Sequence, residues 1–169
     1  SLVVSKVFCY ADELMKIVDL TNISKIYNPG KENELKVLDQ IDLSIWDGDF
    51  IAIMGASGSG KSTLMNIIGL LDLPTSGSYL FKGEAVSGLS QKELARLRSD
   101  EIGFVFQNFN LLGRTTVLEN VRLPTLYNRN KSNDDSNRIL SRVGLLDKKS
   151  SKPNQLSGGQ MQRVAIARS

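Results

Sequence analysis

Gly55-Ala56-Ser57-Gly58-Ser59-Gly60-Lys61-Ser62 is the stretch with the plainest chemistry. Glycine admits backbone angles closed to other residues, so successive N–H groups can converge on one anion. Lys61 adds a point charge suited to phosphate oxygens. The Ser62 hydroxyl offers a hard oxygen to Mg2+, an ion that takes few protein ligands. The run satisfies G-x-x-x-x-G-K-[ST] at every fixed position. It reads as a cradle for nucleotide phosphates, with Gly55 to Thr63 as the binding residues, Lys61 on the β- and γ-phosphates and Ser62 on the metal. The rival reading is a glycine-rich turn with no ligand. The flanks oppose it. Phe50-Ile51-Ala52-Ile53-Met54 is continuously apolar, as expected of a strand buried on both faces of a parallel sheet. Lys61 to Leu71 follows as an apolar helix, whose free N–H groups and dipole favour an anion at its start.

Leu156-Ser157-Gly158-Gly159-Gln160 applies the same principle again. Two glycines expose N–H groups where a helix begins, and Ser157 adds a hydroxyl donor, which together make a second anion site. A plain N-capped helix is the competing reading.

Other elements must carry these loops. Lys16-Ile17-Val18-Asp19-Leu20 alternates like a strand. Asn28-Pro29-Gly30-Lys31 and Trp46-Asp47-Gly48-Asp49 are turn clusters. Between them, Leu35 to Leu38 and Ile41 to Ile45 read as two short strands joined at Asp39-Gln40. Pro74-Thr75-Ser76-Gly77 ends the unit around the cradle, Ser78 to Phe81 is a strand, and Lys82-Gly83 turns the chain. Ser90 to Arg98 reads as a helix with Ser90 and Glu93 as a capping box. Ile102-Gly103-Phe104-Val105-Phe106 is a second candidate for a buried strand. Val117 to Val121 and Asn133 to Val143 read as helices, and a last helix runs from the second glycine motif to the end.

Composition bounds the class. The chain has 169 residues, 41% apolar and 23% charged, as in an ordinary globular domain. Its net charge of +3 comes without a concentrated Lys/Arg run, which argues against nucleic acid as a partner. Histidine is absent and Cys9 is the single cysteine, a small apolar filler by type. The longest apolar run, near Leu64 to Leu71, is broken by Asn66 and Gly69 and falls short of the about 20 residues of a span. Ser1 to Ala11 makes a poor signal peptide because Lys6 interrupts it. Met15 reads as a natural start, with residues 1–14 a leader or a short ordered extension.

A phosphate cradle alone leaves kinases, GTPases, helicases and transport ATPases open. The letters LSGGQ at Leu156 to Gln160 choose among them. They stand about a hundred residues after the cradle and run into Gln162-Arg163-Val164-Ala165-Ile166-Ala167-Arg168. With these motifs the chain resembles the ABC transporter ATPases, over Lys16 to Arg168. It is most similar to the group that drives lipoprotein release and macrolide export, through Ala52-Ile53-Met54-Gly55, Asn66-Ile67-Ile68-Gly69, Asp72-Leu73-Pro74-Thr75-Ser76-Gly77, Phe109-Asn110-Leu111-Leu112, Leu118-Glu119-Asn120-Val121 and Lys152-Pro153-Asn154-Gln155. Gly113 and Ala56 depart from the usual prolines without removing a phosphate contact.

The resemblance implies an α/β P-loop fold of ABC ATPase type, with a parallel core sheet, an antiparallel β subdomain and a helical subdomain. The divisions would be 15–112 for the P-loop core and 113–160 for the helical part. It implies ATP and Mg2+ as cofactors. Tyr27 stands where the family stacks an aromatic on adenine, against the alternative of a core tyrosine. Gln107 stands at the family's Q-loop glutamine, near Mg2+ and the attacking water, against the alternative of a solvent-facing loop residue. Leu156 to Gln160 would act on the ATP of a second ATPase subunit paired head to tail. A membrane permease would be the third partner, met through the polar stretch 128–137, at the cytoplasmic face of the plasma (inner) membrane. Soluble ABC ATPases outside transport, and a fragment that only binds nucleotide, are the alternatives. Family members continue to a strand ending in Asp-Glu and to a switch histidine, and this chain stops at Ser169. The expectation is therefore an incomplete core sheet, weak nucleotide binding, poor hydrolysis and low stability in isolation.

Overall fold

The computed structural model describes residues 3–7, 15–127 and 135–169, with backbone alone at 3–7 and 127. Cys9, most of the leader and most of the stretch 128–137 lie outside the described residues. The chain forms two compact units, residues 1–96 and 97–169, with the division inside one helix.

The first unit begins with β1 (Val3–Val7), β2 (Lys16–Tyr27), β3 (Leu35–Trp46) and β4 (Phe50–Met54). Helix α1 (Lys61–Ile68), β5 (Ser76–Phe81) and β6 (Glu84–Ala85) follow. Four strands form an antiparallel sheet in the order β3-β2-β5-β6. The alternation at Lys16 to Leu20 does open a strand, which buries Val18, Leu20 and Ile23 on one face. The two short strands expected at Leu35–Leu38 and Ile41–Ile45 are one strand. Its break at Gln40, with φ of 49°, is a local kink whose freed N–H donates to Ser24 Oγ at 3.0 Å, so the ladder resumes beyond it. Lys82 (φ 50°) and Gly83 (φ 83°) form the expected turn between β5 and β6.

Strand β4 pairs antiparallel with β1, Val3 against Met54 and Val7 against Phe50. No two strands pair in parallel among the described residues, and β4 has β1 as its one neighbour there. The reading of Phe50 to Met54 as buried on both faces is corrected: Phe50 is 72% and Met54 50% exposed, because a single antiparallel partner covers neither face.

Helix α1 is fixed at both ends. At its start, the Gly60 Cα lies so near β3 that a Cβ there would come within 2.9 Å of the Val37 carbonyl oxygen. Its buried residues Leu64 and Ile67 are three apart, on one face. At its end, Leu70 is left-handed (φ 57°), and N–H bonds from Leu70 to Ile67 and from Leu71 to Asn66 close a Schellman turn. The helix is therefore shorter than the Lys61–Leu71 expected, because Gly69 and this turn stop it at Ile68. The buried Tyr79 donates its hydroxyl to the Ile68 carbonyl oxygen at 2.7 Å, satisfying one of the helix's unpaired acceptors. Burial also pushes the Tyr79 hydroxyl pKa well above its ordinary value.

Helix α2 (Gln91–Glu101) starts at the expected capping box. The Ser90 N–H donates to Glu93 Oε2 at 2.7 Å, and Glu93 N–H donates to Ser90 Oγ at 3.3 Å. The second unit adds α3 (Val117–Tyr127), α4 (Ser136–Arg142) and α5 (Gly158–Arg168). They pack around Val117, Val121, Leu140, Leu145, Leu156 and Val164. Helix α3 runs past the expected end at Val121 and through Pro124, which donates no N–H to the helix ladder. Gly144, at φ 68°, closes α4 in a second Schellman turn with Leu145 bonded to Leu140.

The strand expected at Ile102 to Phe106 is not formed among the described residues. The segment is extended, since the rings of Phe104 and Phe106, two apart, stack at 5.7 Å with planes 9° from parallel. A strand also needs a neighbour to accept its hydrogen bonds, and none pairs with this segment. Val105 is 49% exposed and Phe106 40% exposed as a result.

Candidate functional site: an uncapped helix start in a glycine loop

The loop from Gly55 to Gly60 joins β4 to α1. Gly58 and Gly60 have φ of 78° and 90°, in the left-handed region where glycine is the easy residue. Gly60 is the N-cap of α1 and carries no side chain to cap it. The N–H groups of Lys61, Ser62 and Thr63 therefore lack the intrahelical acceptors found farther along, such as the Gly60 oxygen taken by Leu64 at 2.9 Å. No acidic residue stands in this first turn. The contrast inside the same chain is informative. Helices α2, α3 and α5 are each closed by a Ser or Thr with a Glu or Gln three residues on. Helix α4 also lacks a side-chain cap bond at Asp135, but α1 is left open in a glycine loop with a lysine over it, as an anion site needs.

The Lys61 ammonium folds back over the loop, donating to the carbonyl oxygens of Gly55 at 2.9 Å and Ala56 at 2.7 Å. It is held at the mouth of the loop with donor capacity remaining, since an ammonium has three N–H groups. The Ser59 hydroxyl is buried and has no hydrogen-bond partner. A buried hydroxyl left unsatisfied is costly unless a ligand completes it. An open cleft of about 350 Å³ lies here, lined by Ser57, Gly58, Gly60, Lys61, Ser62 and Thr63, with Leu35 and Val37 of β3 as its apolar wall. Reading β3 only as a strand missed that wall. Its signal was the apolar pair two residues apart, on one face of a strand.

Tyr27 is at the surface, 36% exposed, so the core-tyrosine alternative falls, whereas Tyr79 is buried. The Tyr27 hydroxyl donates to Asp72 Oδ2 at 3.2 Å. Lys25 Nζ donates to Asp72 Oδ1 at 2.6 Å and sits 5.1 Å from the centre of the Tyr27 ring. Partial burial pushes the Asp72 carboxyl up, but the bonds from Lys25, the Leu73 N–H and Tyr27 outweigh it and hold the group below its ordinary value. Neither Lys25 nor Asp72 was singled out from sequence, because 47 residues separate them.

In the second unit, Ser157 is the N-cap of α5. Its N–H donates to Gln160 Oε1 at 2.8 Å, and its Oγ accepts from the Gln160 N–H at 3.4 Å. The Gln160 carboxamide oxygen is thus engaged in its own helix start. The N–H groups of Gly158 and Gly159 are left over, on exposed residues around which an added Cβ would meet nothing. Leu156 is buried and anchors the motif in the helical core. Gln107 lies on an exposed turn.

An open helix start in a glycine loop, with a lysine over it, on a sheet-and-helix scaffold defines a P-loop nucleotide-binding domain. The ABC transporter family model matches residues 38–169. The macrolide export ATP-binding/permease protein MacB of Chlorobaculum tepidum is 49% identical over 154 residues, 90% of this chain and 24% of that protein. The ABC transporter ATP-binding protein YknY of Bacillus subtilis, itself uncharacterized, is 51% identical over 155 residues, 90% of this chain and 67% of that protein. The dimeric structure of MJ0796, a bacterial ABC transporter cassette, superposes with a TM-score of 0.78 at 42% identity, covering 89% of this chain and 68% of that one. The chain belongs to the ABC transporter family and carries part of its ATP-binding domain. It spans about a quarter of the length of the fused export protein and about two thirds of the stand-alone one.

Proposed function

We propose that this chain binds Mg·ATP at the Gly55–Thr63 loop and couples its binding and hydrolysis to the work of a membrane permease. The observation that carries the reading is the uncapped start of α1 under Lys61, in a chain whose helices α2, α3 and α5 are capped. The N–H groups of 61–63 would hold phosphate oxygens, Lys61 would exchange its loop carbonyls for the β- and γ-phosphates, and Ser59 Oγ would gain a partner. Among the described residues no cluster of three or more His, Cys, Asp or Glu is placed to hold a metal. Mg2+ would be held through the triphosphate and water, with Ser62 offering a protein oxygen in the first unit, and Gln107 is assigned to the metal by resemblance to the family alone. This ion would neutralise charge that develops on the phosphates. Tyr27 offers a flat, partly exposed face for adenine, held in place by Asp72.

The MJ0796 cassette has been seen as a dimer, and also as a dimer bound to ADP and Pi. By likeness, Leu156 to Gln160 would close over the ATP of a second copy, with the Ser157 hydroxyl and the Gly158 and Gly159 N–H groups as donors. The Ser157 hydroxyl spends a lone pair on Gln160, so its hydrogen stays available. The name of MacB supplies the reading of an exporter. No helix among the described residues is long and apolar enough to cross a membrane. By likeness to the export ATP-binding/permease proteins, the proposed place is peripheral, at the cytoplasmic face, with the helical part 113–160 toward the permease.

Sedimentation with and without Mg·ATP tests the paired arrangement. A nucleotide-dependent shift from one copy to two, lost in Ser157→Phe, is expected. No shift at saturating nucleotide would refute the head-to-tail reading.

A further inference from the structure

Arg168 closes the last turn of α5, the helix that begins at Ser157. Its side chain leaves the helix for a loop 58 residues earlier. Nη1 donates to the Asn110 carbonyl oxygen at 2.5 Å, and Nη2 donates to the Phe109 carbonyl oxygen at 2.7 Å. Phe109 and Asn110 are consecutive left-handed residues, with φ of 59° and 47°. In an extended chain successive carbonyls point to opposite sides. Two residues of one helical hand turn them the same way, so the planar fork of one guanidinium can take both. Phenylalanine avoids this conformation, so something must hold it there. The same turn carries Gln107: the Phe109 N–H donates to the Phe106 oxygen at 3.0 Å, bracketing Gln107 and Asn108.

We propose that Arg168 is a positioning residue that holds the Phe106–Asn110 turn in its left-handed form, and so ties the presentation of Gln107 to the helix that starts at the Ser157 motif. The function follows from rigidity. Helix α5 is one uninterrupted element with the proposed partner-nucleotide site at one end and this clamp at the other. A displacement of its start reaches the Gln107 turn through two charge-assisted hydrogen bonds. A lysine would keep the charge but lose the fork. The inference rests on the metal role proposed for Gln107, and its test separates the two.

Peptide-resolved hydrogen exchange of the whole chain is compared among wild type, Arg168→Met and Arg168→Lys. Exchange over Phe106–Leu112 is expected to speed up on the order of tenfold in both variants, with peptides over Val117–Val121 unchanged as the folding control. The second readout is the ratio of ATP affinity in Mg2+ to that in EDTA. It should fall equally in Arg168→Met and in Gln107→Ala, and no further in the double variant, because both remove one device. Unchanged exchange over Phe106–Leu112 overturns the clamp while leaving the Gln107 reading standing. A full magnesium ratio in Arg168→Met, beside a lost one in Gln107→Ala, overturns the link between them. Faster exchange with a full ratio in Gln107→Ala removes the metal role of Gln107, and the functional half of the proposal with it.

Discussion

Replacing Gly60 by alanine should damage the fold and the phosphate loop together, by an amount set by two separate terms. Gly60 has φ of 90°, and a left-handed conformation costs a residue with a Cβ about 1–2 kcal/mol. The new Cβ would also lie 2.8 Å from Leu38 Cδ2 and 2.9 Å from the Val37 carbonyl oxygen. Leu38 is buried and Val37 lies within β3, so neither yields freely. Overpacking of this kind costs about 1–3 kcal/mol more. The sum, about 2–5 kcal/mol, is a large part of a domain's ordinary stability of about 5–15 kcal/mol. Gly58→Ala is the internal control. Its φ is 78°, but a Cβ there meets nothing within 4 Å, so it should bear only the conformational cost of about 1–2 kcal/mol. Urea unfolding followed through Trp46, the chain's single tryptophan, measures both variants. If Gly60→Ala matches Gly58→Ala within about 0.5 kcal/mol, the close approach of loop to strand is refuted.

Tyr27→Ala should weaken ATP binding about three- to tenfold while leaving inorganic triphosphate unaffected, because the ring acts on the base alone; competition titrations of the two ligands check this. Asn120 is fully buried and its side chain accepts from the Leu112 N–H at 2.8 Å and donates to the Thr116 oxygen at 2.9 Å, so Asn120→Ala leaves orphaned partners and should cost about 1–3 kcal/mol in a thermal or urea melt. Asp72 is held below its ordinary pKa in the folded chain. Its contribution is then fully present above the ordinary carboxylate value and fades as pH falls through the lowered one. Melting temperature measured against pH should drop in that acid window, and less steeply in Asp72→Asn.

What could be read ahead of the structure was local. The phosphate cradle consists of consecutive residues, and the Ser90–Glu93 box spans one helical turn, so sequence spacing was the geometry. The same pattern stands at Thr116 and Glu119, where the Glu119 carboxylate accepts the Thr116 N–H at 2.6 Å. Apolar runs misled where pairing decides the outcome. Ile102 to Phe106 has the composition of a strand but no neighbour to bond, and Phe50 to Met54 found an antiparallel partner that covers neither face. Gln40 interrupts β3 without ending it because Ser24 takes up its N–H, a contact made across strands. The Lys25–Asp72–Tyr27 group and the Arg168 clamp join residues some 45 to 59 positions apart. No spacing rule reaches that far, so only the fold could bring them together.

The grip of Lys61 and the open helix start on a triphosphate is what everything else depends on, and calorimetric titration of Mg·ATP into the chain and into Lys61→Ala measures it. The chain should bind with a resolvable heat, and the variant about ten- to a hundredfold more weakly, as expected for hydrogen bonds from a charged donor. Equal affinities, or no heat from either folded protein, would contradict the account.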